Sequence, residues 1–298
     1  MLIFLFVSEG LELSHSALQT GTGIIMSTDL NRNIIGSADS VTVFHSHLHG
    51  DGVQAVLPIG KDCVVFSEKP HLFLQTLPNK LSVLVCGSCA QFIGSVGLQM
   101  KFLQNQVSRQ DLFGGNLAAF FNPYQPLTEH LIPCQGGCGE AYCNLSCRDY
   151  HWNNKGHKYL CTGQINPAEA DAHPLFAFKM HAVQTNEIFL LVADVFAEFC
   201  ATYEQLHIVQ GNPRGTVIEF LQNFYHGYVR QQWWEAAQPP KGQTKAKFVK
   251  TLKRLVAESY AMLVDSLPVA EYNLQSVLSE DFMSRLVRVA SCVCFYHI

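Results

Sequence analysis

The sequence of 298 residues lacks any run of roughly 18 or more apolar residues, the length that a helix needs to cross a bilayer. Its apolar beginning, Met1 to Val7, has no basic residue before it and is followed closely by Glu9, so it is poorly suited to an export signal. We therefore expect no membrane span. We also expect a reduced, intracellular protein of the nucleus, the cytoplasm or both.

Charge is also scarce: Asp, Glu, Lys and Arg make up 15% of the chain, and the net charge is −4. A net negative charge makes a nucleic-acid binder that relies on overall electrostatic attraction an unfavourable interpretation. The one basic concentration comprises Lys241, Lys245, Lys247, Lys250, Lys253 and Arg254. A solvated helix face explains it best, and a nucleic-acid binder that uses these cations is our weakest hypothesis.

Cysteine, by contrast, is abundant, with eleven residues in all. Most of them form closely spaced pairs, and the last pair contains a histidine. The predicted metal ligands, in order, are Cys86, Cys89, Cys134, Cys138, Cys143, Cys147, His157 and Cys161. Donors three or four positions apart can face one four-coordinate zinc ion, so eight donors predict two structural zinc ions. The odd number of cysteines argues against a disulfide framework.

The spacing leaves the division of ligands between the two ions open. An interleaved arrangement joins the first and third pairs around one ion and the second and fourth pairs around the other. A sequential division is the alternative. His130 and His151 could replace His157, but His157 lies one helical turn before Cys161, so both side chains face the same way.

The cysteine pattern, with Tyr142 before Cys143 and Trp152 before the closing His-x3-Cys, resembles the MYND zinc finger. Upstream, the segments 21–24 (Gly-Thr-Gly-Ile) and 58–70 resemble the opening strands of a SET domain interrupted by such a finger. This order is similar to that of the SET- and MYND-domain (SMYD) protein lysine methyltransferases. The long interval between the first two cysteine pairs departs from the usual MYND length and is similar to that of a divergent member with an extended insertion.

The resemblance implies an α+β fold in three parts. Residues 1–85 form the strand-rich N-terminal part of a split SET domain, and residues 86–161 form a MYND-type two-zinc finger with an insertion at 90–133. Residues 165–298 form a C-terminal helical region. The resemblance also implies that S-adenosylmethionine lies against Gly21 and Gly23, although Thr22 replaces the basic residue usual in the family. A protein substrate or a peptide is the implied partner.

Apolar residues recur with a helical period after Glu187, and further helices are predicted for residues 217–236, for 245–267 and from Ser279 onward. Asp194 and Glu198 fall opposite the apolar stripe of the first of these helices. We interpret His45, His47 and His49 as part of a polar, partly exposed loop rather than as a metal site.

The Asn-His-Ser-Cys motif and the later tyrosine that SET enzymes use to orient the amine are absent from the sequence. We therefore expect a SMYD-like methyltransferase chain that is truncated and inactive. The alternative is a non-catalytic MYND zinc-finger adaptor that binds protein partners.

Overall fold

The computed structural model describes residues 2–5, 41–46, 50–63, 71–107, 131–165, 170–226, 231–290 and 295–296. The chain divides into two compact units. One is Phe4–His71, and the larger one combines Met1–Ile3 with Leu72–Ile298. The cofactor residues predicted at Gly21 and Gly23 lie outside the described residues, and the domain boundaries drawn from the sequence stay predictions.

The smaller unit contains an antiparallel hairpin. Strand β2 (Val41–Ser46) pairs with β3 (Gly50–Ala55) in a register that places Val41 opposite Ala55. The loop interpretation of the histidine segment is therefore wrong for His45, which lies in β2 opposite Asp51. The consecutive β-branched residues Val41, Thr42 and Val43 favour a strand here, whereas the polar residues that follow them are typical of a loop. His47 and His49 lie outside the described residues.

The larger unit is mainly helical and holds three short strands in one sheet. Strand β1 (Leu2–Leu5), of which Leu2 and Ile3 belong to this unit, lies between β4 (Leu72–Gln75) and β7 (Phe295–Tyr296), and these two residues pair with β7 in antiparallel fashion. A second small sheet joins β5 (Ile132–Pro133) and β6 (Ala141–Tyr142). The predicted α+β fold is confirmed to the extent that helices occur together with a few strands, whereas the assignment to SET and MYND domains stays a prediction.

The helices among the described residues of this unit are α1 (Leu77–Ser82), α2 (Val96–Leu103), α3 (Leu145–Asn153), α4 (His157–Leu160), α5 (Pro174–Thr185), α6 (Ile188–Tyr203), α7 (Arg214–His226), α8 (Trp233–Ala236), α9 (Lys245–Ser266) and α10 (Glu280–Ala290). A 3-10 turn, Ala170–Ala172, precedes α5, and a π-helical segment, Glu204–Val209, continues α6.

Helix α6 is the centre of the larger unit. It contacts β4, α4, α5, α7 and α10. Twelve of its 16 residues are buried, so apolar side chains surround it instead of forming one stripe. The expectation that Asp194 and Glu198 lie opposite the buried face is therefore wrong for Glu198, which is 8% exposed. A periodic pattern marks one buried face, but it cannot show that neighbouring elements also cover the others.

Several helix ends agree with the sequence. Pro174 is the first residue of α5, and the hydroxyl of Ser279 accepts a hydrogen bond from the Phe282 backbone at 3.2 Å before α10. Helix α9 matches the predicted range 245–267 within one residue. The helix predicted for 217–236 is wrong as a single element, because α7 ends at His226 and α8 begins at Trp233.

The two adjacent tryptophans point to different neighbours. Trp233 packs edge-on against Phe189 of α6, whereas the ring of Trp234 lies under the ammonium of Lys253 at 4.9 Å. The basic residues of α9 are exposed, as expected for a solvated face. None of the helices in the described part of the chain combines the length and apolar character needed to cross a bilayer.

We expect Phe196→Ala to lower the free energy of unfolding by about 3–5 kcal/mol, because this fully buried ring stacks on Phe282 and its removal leaves a cavity. Chemical denaturation of the zinc-loaded protein measures the change. Phe92→Ala is the matched control, since Phe92 is 59% exposed. Equal losses for both variants would contradict a core centred on α6.

Candidate metal centre

Four cysteines from the first and third pairs meet at one point. Cys86, Cys89, Cys143 and Cys147 place their sulfur atoms within 4.8 Å of one another. The Sγ atoms of Cys89 and Cys143 are 3.7 Å apart, and those of Cys143 and Cys147 are 3.5 Å apart. We call these four residues the first group.

The second and fourth pairs form the second group, which consists of Cys134, Cys138, His157 and Cys161. The Nε2 atom of His157 lies 3.4 Å from Sγ of Cys134 and 3.3 Å from Sγ of Cys138. The Sγ atoms of Cys134 and Cys161 are 3.7 Å apart. The grouping is thus the interleaved one, and the sequential alternative does not fit these distances.

Both groups have the chemistry and dimensions of closed zinc sites. A tetrahedral ion with metal–sulfur bonds of about 2.3 Å holds its sulfur ligands roughly 3.8 Å apart. The measured sulfur separations of 3.5–3.7 Å are close to this value. They are too long for disulfide bonds of about 2.05 Å, and the described cysteines are free thiols. Zn²⁺ with four Cys or Cys₃His ligands fits this donor set.

A short hairpin positions the second cysteine pair. Strands β5 and β6 bring residues 134–140 into a tight turn, in which the Gly136 backbone donates to Sγ of Cys134 at 3.4 Å. Such a bond spreads the charge of a thiolate. Glycine is required at position 136, because a Cβ there would lie 2.3 Å from Sγ of Cys161.

Helix α3 carries one ligand of the first group, Cys147, and two residues that pack against the second group. Its N-cap residue, Asn144, accepts a hydrogen bond from the Cys147 backbone at 2.7 Å and so fixes the start of the helix beside two ligands. Near the end of the helix, the ring of His151 stacks on that of His157, with centroids 4.7 Å apart. The next residue, Trp152, lies edge-on to His157, with ring centroids 5.9 Å apart.

His151 packs against the second group and is not one of its ligands. Its Nδ1 and the hydroxyl of Tyr142 are hydrogen-bonded at 2.9 Å. Burial lowers the pKa of His151 to about 3 and so leaves the ring neutral. This polar contact fixes the plane of the ring beside the ligand. His130, the other alternative, lies outside the described residues.

The sulfur atoms of each group do not all ionise by themselves. The hydrogen bond with Cys134 lowers the pKa of Cys161 to about 2 but raises that of Cys138 far above its ordinary value. In the first group, burial raises the pKa of Cys89 to about 11 and also raises that of Cys143. A divalent cation supplies the charge that lets these protons leave.

A cavity of about 140 Å³ lies beside the second group, between β4, α5 and α6. Lys179, from α5, donates to the backbone oxygen of Leu160 at 2.6 Å, and Lys80 forms an ion pair with Glu140. Removal from bulk water raises the pKa of Asp194 to about 7, although the two nearby lysines act in the opposite direction. Because Asp194 and Lys179 come from helices without a motif, spacing gave no signal for this cavity.

Comparison with curated proteins found similarity to the histone-lysine N-methyltransferase ATXR2 of Arabidopsis thaliana. The two sequences are 27% identical over 241 residues, which cover 64% of this chain and 50% of that protein. The chain therefore spans about half the length of this relative. No protein family model matches the chain. No solved structure matches it either.

We expect the purified protein to bind two zinc ions per chain, because each group offers four converging donors. Cys89→Ser removes one ligand of the first group and should lower the zinc content toward one, as measured by elemental analysis. Cys63→Ser is the matched control, since Cys63 is an exposed thiol outside both groups. A zinc content that stays the same in Cys89→Ser would contradict the assignment.

The Asp194 carboxyl predicts a pH dependence of stability. Above its ordinary pKa of 3.8 this group is ionised in the unfolded chain, but in the folded chain it keeps its proton up to about pH 7. Folding therefore takes up a proton in this window, and the group's contribution to stability is lost as the pH rises.

Asp194→Asn removes this dependence. The free energy of unfolding of the variant minus that of the parent should therefore increase with pH, by up to roughly 1.4 kcal/mol per pH unit between about pH 4 and pH 7. Urea unfolding of both zinc-loaded proteins across this range measures the difference. The exposed Asp265 provides the matched control, Asp265→Asn. Parallel pH profiles for parent and Asp194→Asn would contradict the burial of this carboxyl.

Proposed function

We propose that this chain forms part of a SET- and MYND-type protein lysine methyltransferase that uses S-adenosylmethionine. In this proposal the finger, residues 86–161, is a structural and docking module. The substrate is a lysine of a histone or another protein, and the place of action is the nucleus, the cytoplasm or both.

The observation that carries the proposal is the similarity to a histone-lysine methyltransferase over 64% of the chain. The two donor groups add support, because their interleaved pairing agrees with the cysteine pattern that resembles a MYND finger.

Zinc has a structural task in this scheme. Each group fills all four tetrahedral positions with protein donors, which leaves no position for water or substrate. Structural zinc of this kind contributes on the order of 10 kcal/mol to the folding of isolated fingers. The ions therefore stabilise a surface and do not take part in methyl transfer.

The cofactor would be held by the Gly21-Thr22-Gly23 segment, where the missing side chains let backbone groups approach it. S-adenosylmethionine supplies an activated methyl group, and transfer requires a neutral amine aligned with it. The sequence contains no Asn-His-Ser-Cys motif that would orient this amine. We therefore propose that this polypeptide by itself binds the cofactor but does not turn over.

A specific observation favours the adaptor as the second candidate function. Helix α2 exposes an apolar row one turn apart, with Val96 81%, Met100 48% and Leu103 55% exposed, while Phe92 just before it is 59% exposed. Exposed apolar residues of this kind mark interaction surfaces. By its resemblance to MYND fingers, an adaptor would bind a proline-containing peptide segment.

Calorimetric titration with S-adenosylmethionine separates the two candidates. We expect the zinc-loaded chain to bind the cofactor and Gly23→Ala to weaken this binding by about tenfold or more, because a methyl group blocks the close approach. Gly215→Ala is the matched control, since a Cβ there meets nothing within 4 Å.

Incubation with radiolabelled cofactor and histone substrates tests the second half of the proposal. Cofactor binding without methyl transfer agrees with it. Methyl transfer would overturn the inactive assignment, and a lack of cofactor binding would favour the adaptor.

A further inference from the structure

Residues 155–160, which we call the docking segment, connect the finger to the helical region. Gly156 adopts a left-handed backbone conformation, with φ of +72°, and lies against helix α6. A Cβ at this position would lie 2.2 Å from the backbone oxygen of Ala197, so a side chain would separate the two backbones. The finger and α6 are therefore in direct backbone contact.

A buried ion pair flanks this contact. Lys155 donates to Oε1 of Glu198 at 2.9 Å, and the hydroxyl of Tyr225 donates to Oε2 of the same carboxylate at 3.1 Å. Both charged residues are only 8% exposed. Removing one partner of such a pair leaves the other charge buried without compensation, so these charges hold the segment in one position.

The rest of the docking segment contacts two further helical elements. Lys158 forms an ion pair with Glu204, and the hydroxyl of Tyr159 donates to the same carboxylate at 2.8 Å. At the end of the segment, the backbone oxygen of Leu160 accepts a hydrogen bond from Lys179 of α5. Polar contacts with the helical region thus follow one another along the segment.

Local structure cannot hold this segment in place. Its helix, α4, has only four residues, and isolated helices so short do not persist in water. His157, in the middle of the segment, and Cys161, directly after it, are both members of the second group. A zinc ion there would fix the segment at its middle and at its C-terminal end.

The first group has a different setting. Ligands of both groups adjoin an apolar cluster that includes Leu84, Ile93, Leu98 and Phe102, but none of the four ligands of the first group lies in the docking segment. Cys89, one of these four ligands, is exposed. A zinc ion in the first group would therefore not fix the segment that contacts α6.

We propose that the two zinc sites have separate tasks: zinc in the second group is thermodynamically coupled to docking of the finger on α6, whereas zinc in the first group is not. Coupling between two sites is reciprocal, so a change on α6 that weakens docking must also weaken zinc binding in the second group. The inference requires two bound zinc ions and does not depend on methyl transfer.

Glu198→Gln tests the coupling from the helical side, because Glu198 belongs to neither group. Competition with a chromophoric chelator, with zinc alone as the ligand, measures the affinity of each of the two equivalents. We expect the affinity for one of the two zinc ions to fall roughly 5- to 150-fold, while the affinity for the other stays within about twofold of that in the parent. Glu258→Gln is the matched control, since Glu258 lies on an exposed face of α9 and should leave both equivalents unchanged.

If Glu198→Gln fails to fold, Tyr225→Phe is the milder variant, because it removes one hydrogen bond to the same carboxylate. Hydrogen exchange of α6 gives the reverse measurement. Cys161→Ser should raise exchange in α6, and Cys89→Ser should leave it unchanged. The proposal would be overturned if Glu198→Gln lowered the affinity for both zinc ions equally or for neither. It would also be overturned if α6 exchanged at the same rate in Cys161→Ser and Cys89→Ser.

Discussion

The convergence of four donors from distant parts of the chain is the constraint on which the fold of the larger unit depends. In the second group, a hairpin turn supplies two cysteines, and a single helical turn supplies a histidine and a cysteine. Neither piece is long enough to be stable alone. The convergence of the donors, rather than the hydrogen bonds within each piece, therefore defines the path of the chain from residue 134 to residue 161.

Burial and charge extend this order into the helical region. The central helix, α6, is apolar around most of its circumference, yet it places Glu198 toward Lys155 of the finger and Asp194 toward the cavity beside the second group. Charged residues inside an apolar helix cost stability unless they find partners. The pair formed by Lys155 and Glu198 therefore joins the segment that carries the second group directly to the central helix.

Local signals in the sequence were sufficient to predict which donor side chains converge and where several helices begin or end. The spacing of Cys143, Cys147, His157 and Cys161 predicted which side chains could meet, since short intervals restrict direction strongly. The environment of Glu198 could not be predicted in this way. Periodicity describes one helix, whereas burial depends on elements that contact it from other parts of the chain.

The packing of Trp152 against His157 has a practical consequence. The chain contains three tryptophans, and the other two, Trp233 and Trp234, belong to α8. Trp152 lies edge-on to His157 of the second group. Indole emission therefore contains a contribution from the immediate surroundings of that group, and binding of an open-shell metal such as Co²⁺ there would be reported by quenching, without any attached dye.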